Sequence, residues 1–108
     1  MQVPAKTTLN SYYRDTKVRL SVEFTLSSGS NVDPDTVQVS VKKPDGILET
    51  GEYLGVGQDI TITRDSLGNY HADIVVDVEG IWYYRWYGEE NIQVAKEGKF
   101  EVIQGSFE

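Results

Sequence analysis

The sequence predicts an all-β domain, an antiparallel sandwich of about seven to eight strands. Two observations predict it. Apolar residues recur at period two through most of the chain and at helical spacing almost nowhere. Clusters of Gly, Pro, Asn, Asp and Ser interrupt these runs roughly every 8 to 12 residues, the spacing of turns in a sandwich or small barrel. A third feature bounds the core. The chain has 108 residues and no cysteine, so a single core must hold without a disulfide framework or a thiolate metal site.

Taken in order, "MQVPAKTTLNSYYRD" is polar with two adjacent tyrosines, Tyr12 and Tyr13. Residues 1–15 read as an arm that orders on a neighbour or as a frayed first strand, with a short strand before Asn10. A single domain is expected over 16–108. In "KVRLSVEFTL", Val18, Leu20, Val22, Phe24 and Leu26 share one face and Arg19, Ser21, Glu23 and Thr25 the other. "SSGSN" turns the chain, and Pro34 in "VDPD" cannot continue a central strand. "TVQVSVKK" sets Val37, Val39 and Val41 inward, and "PDG" at 44–46 is a turn in which Gly46 supplies φ > 0. "ILETGEYLGVGQ", with three glycines, reads as a short edge strand or loop. "DITITR" directs Ile60 and Ile62 inward, "DSLGN" turns, and "YHADIVVDV" aligns Tyr70, Ala72, Ile74, Val76 and Val78. "GKFEVI" closes the fold after a polar "GEEN" loop.

Between them lies "GIWYYRWYG", residues 80–88. Trp82, Tyr84 and Trp86 fall on one side, Tyr83, Arg85 and Tyr87 on the other. Asp65-x-x-Gly68-x-Tyr70-x-Ala72 and Asp77-x-x-Gly80-x-Trp82-x-Tyr84 repeat one pattern, explained by shared turn chemistry: Asp caps, Gly takes positive φ, an aromatic closes the sheet edge. The second copy resembles the tyrosine corner of immunoglobulin-like domains, with Tyr84 where a disulfide cysteine often stands. The resemblance implies an immunoglobulin-like β-sandwich with Trp82, Tyr84 and Trp86 inward. The opposite register would bury Arg85, which is costly without a partner. Tyr83, Arg85 and Tyr87 are therefore outward, either as an interface, where Tyr and Arg are enriched, or as cross-strand cover for the sheet.

Charge and motifs exclude several functions. Seventeen acidic against ten basic side chains give a net charge of -7, which opposes nucleic-acid binding. The start has no apolar signal-peptide core, and no run reaches the roughly 20 apolar residues of a membrane span. The lone histidine, His71, shares a strand face with Asp73, as two ligands of a shared site or as a solvated surface group. Asp33, Asp35 and Asp45, and Glu89, Glu90 and Asn91, sit in turns without a calcium-loop pattern. No phosphate loop, nucleophile elbow or zinc-protease motif occurs. No enzyme, metal or cofactor is expected.

Three longer phrases, "VRLSVEFTLSSGSNVDPDTVQVSVKKPDG", "TRDSLGNYHADIVVDVEGIWYYRWYG" and "KEGKFEVI", resemble a family of small phage-encoded virion structural proteins with immunoglobulin-like folds. "ILETGEYLGVGQ" departs from that pattern. The resemblance implies a decoration or cement protein docked on capsid or neighbouring virion proteins. The alternatives are a tail, baseplate or neck accessory, or a carbohydrate-binding module for host-surface attachment. It also implies synthesis in the host cytoplasm and residence in the virion, with self-association in a symmetric assembly as a further option and no nucleic acid or membrane as partner. The interface candidates are Tyr83, Arg85 and Tyr87, with Tyr12 and Tyr13.

Overall fold

The computed structural model describes residues 10–26, 28–55, 57–89 and 95–104. Eight strands follow one another: β1 Ser11–Tyr13, β2 Thr16–Glu23, β3 Thr36–Lys42, β4 Leu48–Glu52, β5 Ile62–Ser66, β6 Asn69–Val76, β7 Gly80–Glu89 and β8 Ala95–Ile103. They form a five-stranded sheet in the order β1-β8-β7-β3-β4 and a three-stranded sheet in the order β2-β6-β5. All neighbours are antiparallel except β1, which runs parallel to the end of β8. The β2-β6-β5 layer has the B-E-D order of an immunoglobulin sandwich and β8-β7-β3 its G-F-C order. The fold is an immunoglobulin-like β-sandwich.

Alternation dictates the layers. β2 buries Val18, Leu20 and Val22; β3 buries Val37, Val39 and Val41; β6 buries Tyr70, Ala72, Ile74 and Val76. Between the sheets these rows meet Trp82 and Trp86 of β7 and Phe100 and Val102 of β8, all at most 2% exposed. Trp82 stacks on Phe100 at 5.8 Å between ring centroids, an offset arrangement that adds to area burial. Ring volume fills the centre where a disulfide would otherwise stand.

Tyr84 occupies the cysteine-like position and is only partly buried. It lies opposite Gly98, where a Cβ would run into the Tyr84 ring and hydroxyl. Glycine at 98 makes room for the tyrosine at 84.

The corner before β7 has the positive-φ glycine its pattern calls for, Gly80 at φ 128°, while the Asp77 carboxylate accepts from Lys43. Trp82 Nε1 donates to the Val78 carbonyl at 2.8 Å, the local backbone bond that a tyrosine makes in a tyrosine corner. Trp86, equally buried, has no partner for its Nε1 among the described residues. In the "PDG" turn, Gly46 has φ 89° and Asp45 Oδ1 accepts from the Ile47 N–H.

Four boundaries differ from expectation. Leu26 is 38% exposed, because the chain leaves β2 at Glu23 and folds into a tight turn closed by Leu26 N–H to Ser30 O and Gly29 N–H to Leu26 O. β5 continues through Asp65 and Ser66, so the turn narrows to Leu67–Gly68. Ile60 is buried ahead of β5, bonded by its N–H to the Thr50 carbonyl where the chain crosses between sheets. Gly88 and Glu89, read as loop, end β7, while Glu90 and Asn91 of the tip and a strand before Asn10 fall outside the described residues.

Candidate protein-docking face

The outer face of the five-stranded sheet is a grid set by register. Across β4, β3, β7 and β8, one row reads Leu48, Lys42, Tyr83, Lys99 and the next Thr50, Ser40, Arg85, Glu97. Glu52, Gln38 and Tyr87 form a third. Tyr83 is 51% exposed, Tyr87 38% and Leu48 60%. Leu48 and Tyr83, with Ser40, Lys42, Arg85 and Glu97, rim an open depression of about 220 Å³. Arg85 Nε lies 3.6 Å from Glu97 Oε1, an exposed pair of little energetic value that a partner can replace. Neither Lys42 nor Lys99 has an ion-pair partner among the described residues.

The tyrosines near the chain start separate. Tyr13 is 59% exposed beside Ile103. Tyr12 is turned inward instead, edge-on to Phe100 at 5.4 Å, because strand alternation gives adjacent residues opposite faces. Of the five candidates, Tyr83, Arg85 and Tyr87 form one patch. Tyr13 lies at the far edge of that sheet, and Tyr12, partly buried, packs against the core.

The ends of the sandwich are fastened by charge. Lys43 Nζ lies 3.3 Å from Asp77 and 3.5 Å from Glu49, and 5.5 Å over the Trp82 ring. Burial opposes its charge, but the two carboxylates outweigh that and raise its pKa. At the other end Asp33 gathers three partners. Arg64 Nε donates to Oδ2 at 3.0 Å, and the Gly68 N–H and the Tyr70 hydroxyl donate to Oδ1 at 2.8 and 3.0 Å. The Arg64 bond, then the Gly68 N–H, holds the Asp33 carboxyl below the usual range. Burial, then the Asp33 bond, pushes the Tyr70 hydroxyl up to about 12. Asp33 thus staples the β2–β3 connection to the β5–β6 turn, a long-range role beyond turn capping.

His71 lies on the opposite sheet. Its Nδ1 is 2.8 Å from Asp65, while Asp73 is 4.0 Å from Nε2 and takes a two-pronged bond from Arg19 at 2.9 and 3.0 Å. That bond lowers the Asp73 pKa. The pairing spends Asp73 on Arg19, and the described residues hold no group of three His, Cys, Asp or Glu able to bind a metal. No helix occurs among the described residues, hence none long and apolar enough to cross a membrane.

Sequence reading missed Leu48, Lys42, Ser40 and Gln38 as neighbours of Tyr83, Arg85 and Tyr87. Alternation places each outward, but which strands adjoin is decided by long-range pairing.

No family model and no curated protein matches the chain. Solved structures do. The chain is similar to the Lin-41 filamin domain at 15% identity and TM-score 0.68, covering 94% of this chain and 90% of that one. It is similar to part of a glycoside hydrolase from Bacteroides vulgatus at 15% identity and TM-score 0.59, covering 90% of this chain and 17% of that one. It is also similar to the chain in the ZIG-8 IG1 homodimer at 12% identity and TM-score 0.51, covering 97% of this chain and 85% of that one. Likeness at such identities establishes the fold: an immunoglobulin-like sandwich, an architecture consistent with a non-enzymatic binding or structural module.

Proposed function

We propose that this chain is a non-enzymatic docking module that holds a neighbouring protein on the outer face of its five-stranded sheet, and that it serves on a virus particle as a decoration or cement protein. One observation carries the docking reading. Tyr83, Arg85 and Tyr87 stand side by side on an open sheet face, while the same strand's two tryptophans are buried in the core. Tyr and Arg are the residues that dominate interface energetics, because they cover much area and offer polar tips. The homodimer formed by a similar immunoglobulin-like chain supports protein association as a use of such a fold. The virion assignment is supported by the sequence resemblance alone.

Labelling a tagged copy on purified particles, viewed by electron microscopy, tests the assignment. Label spread over the head supports decoration. Label confined to neck or tail replaces it with an accessory role there. Protein present in infected cells but absent from particles contradicts the virion reading. A glycan array would then test the remaining use of an exposed tyrosine face, stacking on sugar rings, which the partial likeness to a glycoside hydrolase makes worth measuring.

A further inference from the structure

We propose that the chain assembles head to tail, with Leu54 of one copy seated in the Leu48–Tyr83 depression of the next. This deepens the docking reading and rests on it, since it names a second copy as occupant of that face.

Leu54 is the most exposed large apolar side chain among the described residues, at 83%, and it holds φ 66°. The left-handed region is uncommon for a leucine, because its Cβ crowds the following carbonyl. The turn after β4 therefore displays an apolar side chain outward on a strained backbone, and strain of this kind clusters at functional positions. The depression can receive it. Its volume of about 220 Å³ exceeds the roughly 150 Å³ that accommodates a benzene-sized apolar group.

Charge matches the two surfaces. From Gly51 to Thr63, the stretch that carries Leu54, the chain has Glu52 and Asp59 and no lysine or arginine. The depression is rimmed by Lys42 and Arg85, with Lys99 paired beside Tyr83, against a single acid, Glu97. On a chain of net charge -7 this is a local reversal of sign facing an acidic tip.

A copy cannot fill its own depression. Leu48 opens β4 and Leu54 stands in the turn beyond its far end, past a strand of four steps or about 13 Å at some 3.3 Å per residue. Donor and acceptor are different surfaces of one molecule, so the contact is heterologous and propagates into a ring or a filament.

Sedimentation velocity across a concentration series, with circular dichroism on each variant, tests this. The wild type is expected to associate, and Leu54→Ser and Tyr83→Ser each to stay folded and associate roughly ten- to a hundredfold more weakly, the effect of unburying one large apolar group. Lys42→Glu, a second acceptor variant, is expected to weaken association in the same direction. Mixing Leu54→Ser with Tyr83→Ser is the decisive arm. One intact depression and one intact leucine remain, so the mixture is expected to form dimers and nothing larger. A wild type monomeric throughout, or a mixture no more associated than its components, overturns the proposal. Leu54→Ser associating like wild type while Tyr83→Ser does not overturns it but leaves the docking face standing. Association unchanged in both variants removes the face as the self-association surface as well.

Discussion

The two faces of β7 are made of similar side chains and meet opposite surroundings. Inward, Trp82 and Trp86 are fully buried, stacked or packed against Phe100 and the valines of β3. Outward, Tyr83 and Tyr87 are about half exposed on either side of Arg85. Area removed from water makes the first face a source of folding free energy; the second keeps close to half of its area available for a later contact. Aromatic content alone therefore says nothing about role. Position relative to the second sheet decides it.

Trp82→Ala should have the largest effect, about 3–5 kcal/mol for emptying a large buried site. Against a typical total of about 5–15 kcal/mol, urea denaturation would find the domain near its limit. A small loss would show that the inner face is not the centre of the core. Gly98→Val should follow at about 1–3 kcal/mol, because its side chain would meet Tyr84. Denaturation midpoints of that variant alone and combined with Tyr84→Ala separate the clash from any intrinsic need for glycine: the second change should recover part of the loss.

The two Asp-x-x-Gly-x-aromatic corners offer a finer comparison. Trp82 closes its corner through a neutral bond to Val78, whereas Tyr70 closes its own through charged Asp33. Asp33→Ala is expected to cost about 1–2 kcal/mol, a charge-assisted network reduced by partial exposure. The Tyr70 corner should respond to pH through Asp33 and through Tyr70 itself. Asp33 has a lowered folded pKa, so below the ordinary carboxylate range the unfolded chain takes up its proton first, and stability falls as pH drops through the folded value. Tyr70 moves the other way. Its hydroxyl is raised from 10.0 to about 12, so between those values the unfolded chain loses its proton first and stability falls as pH rises. Urea midpoints against pH should show both slopes in the wild type. In Asp33→Ala the acid slope should shrink, with Asp73, lowered by Arg19, supplying what remains.

Much of this architecture was legible in the chain. Val18, Leu20 and Val22, or Val37, Val39 and Val41, alternate strictly and are buried as the pattern requires. The direction of Trp82 and Trp86 followed from one cost, the burial of Arg85. Leu26 was misread because alternation continues past Glu23, and only the bond between Leu26 N–H and Ser30 O reveals the turn. Tyr12 and Tyr13 looked equivalent because the pairing of β1 with β8, which turns Tyr12 onto Phe100, joins residues some ninety positions apart. The same reason hid the staple at Asp33, whose partners lie 31 to 37 residues away, and the neighbours of the docking face. What a sequence withholds here is adjacency between strands.

The smallest stability effect should come from the outer face, and it is the most direct test of the account. The double variant Tyr83→Ser and Tyr87→Ser can be compared with wild type in urea denaturation. The account predicts a loss of about 1 kcal/mol or less, the scale of exposed cross-strand pairs, with an unchanged slope. A loss approaching that of Trp82→Ala would contradict it, because the outer tyrosines would then be holding the sheet together rather than waiting for a partner.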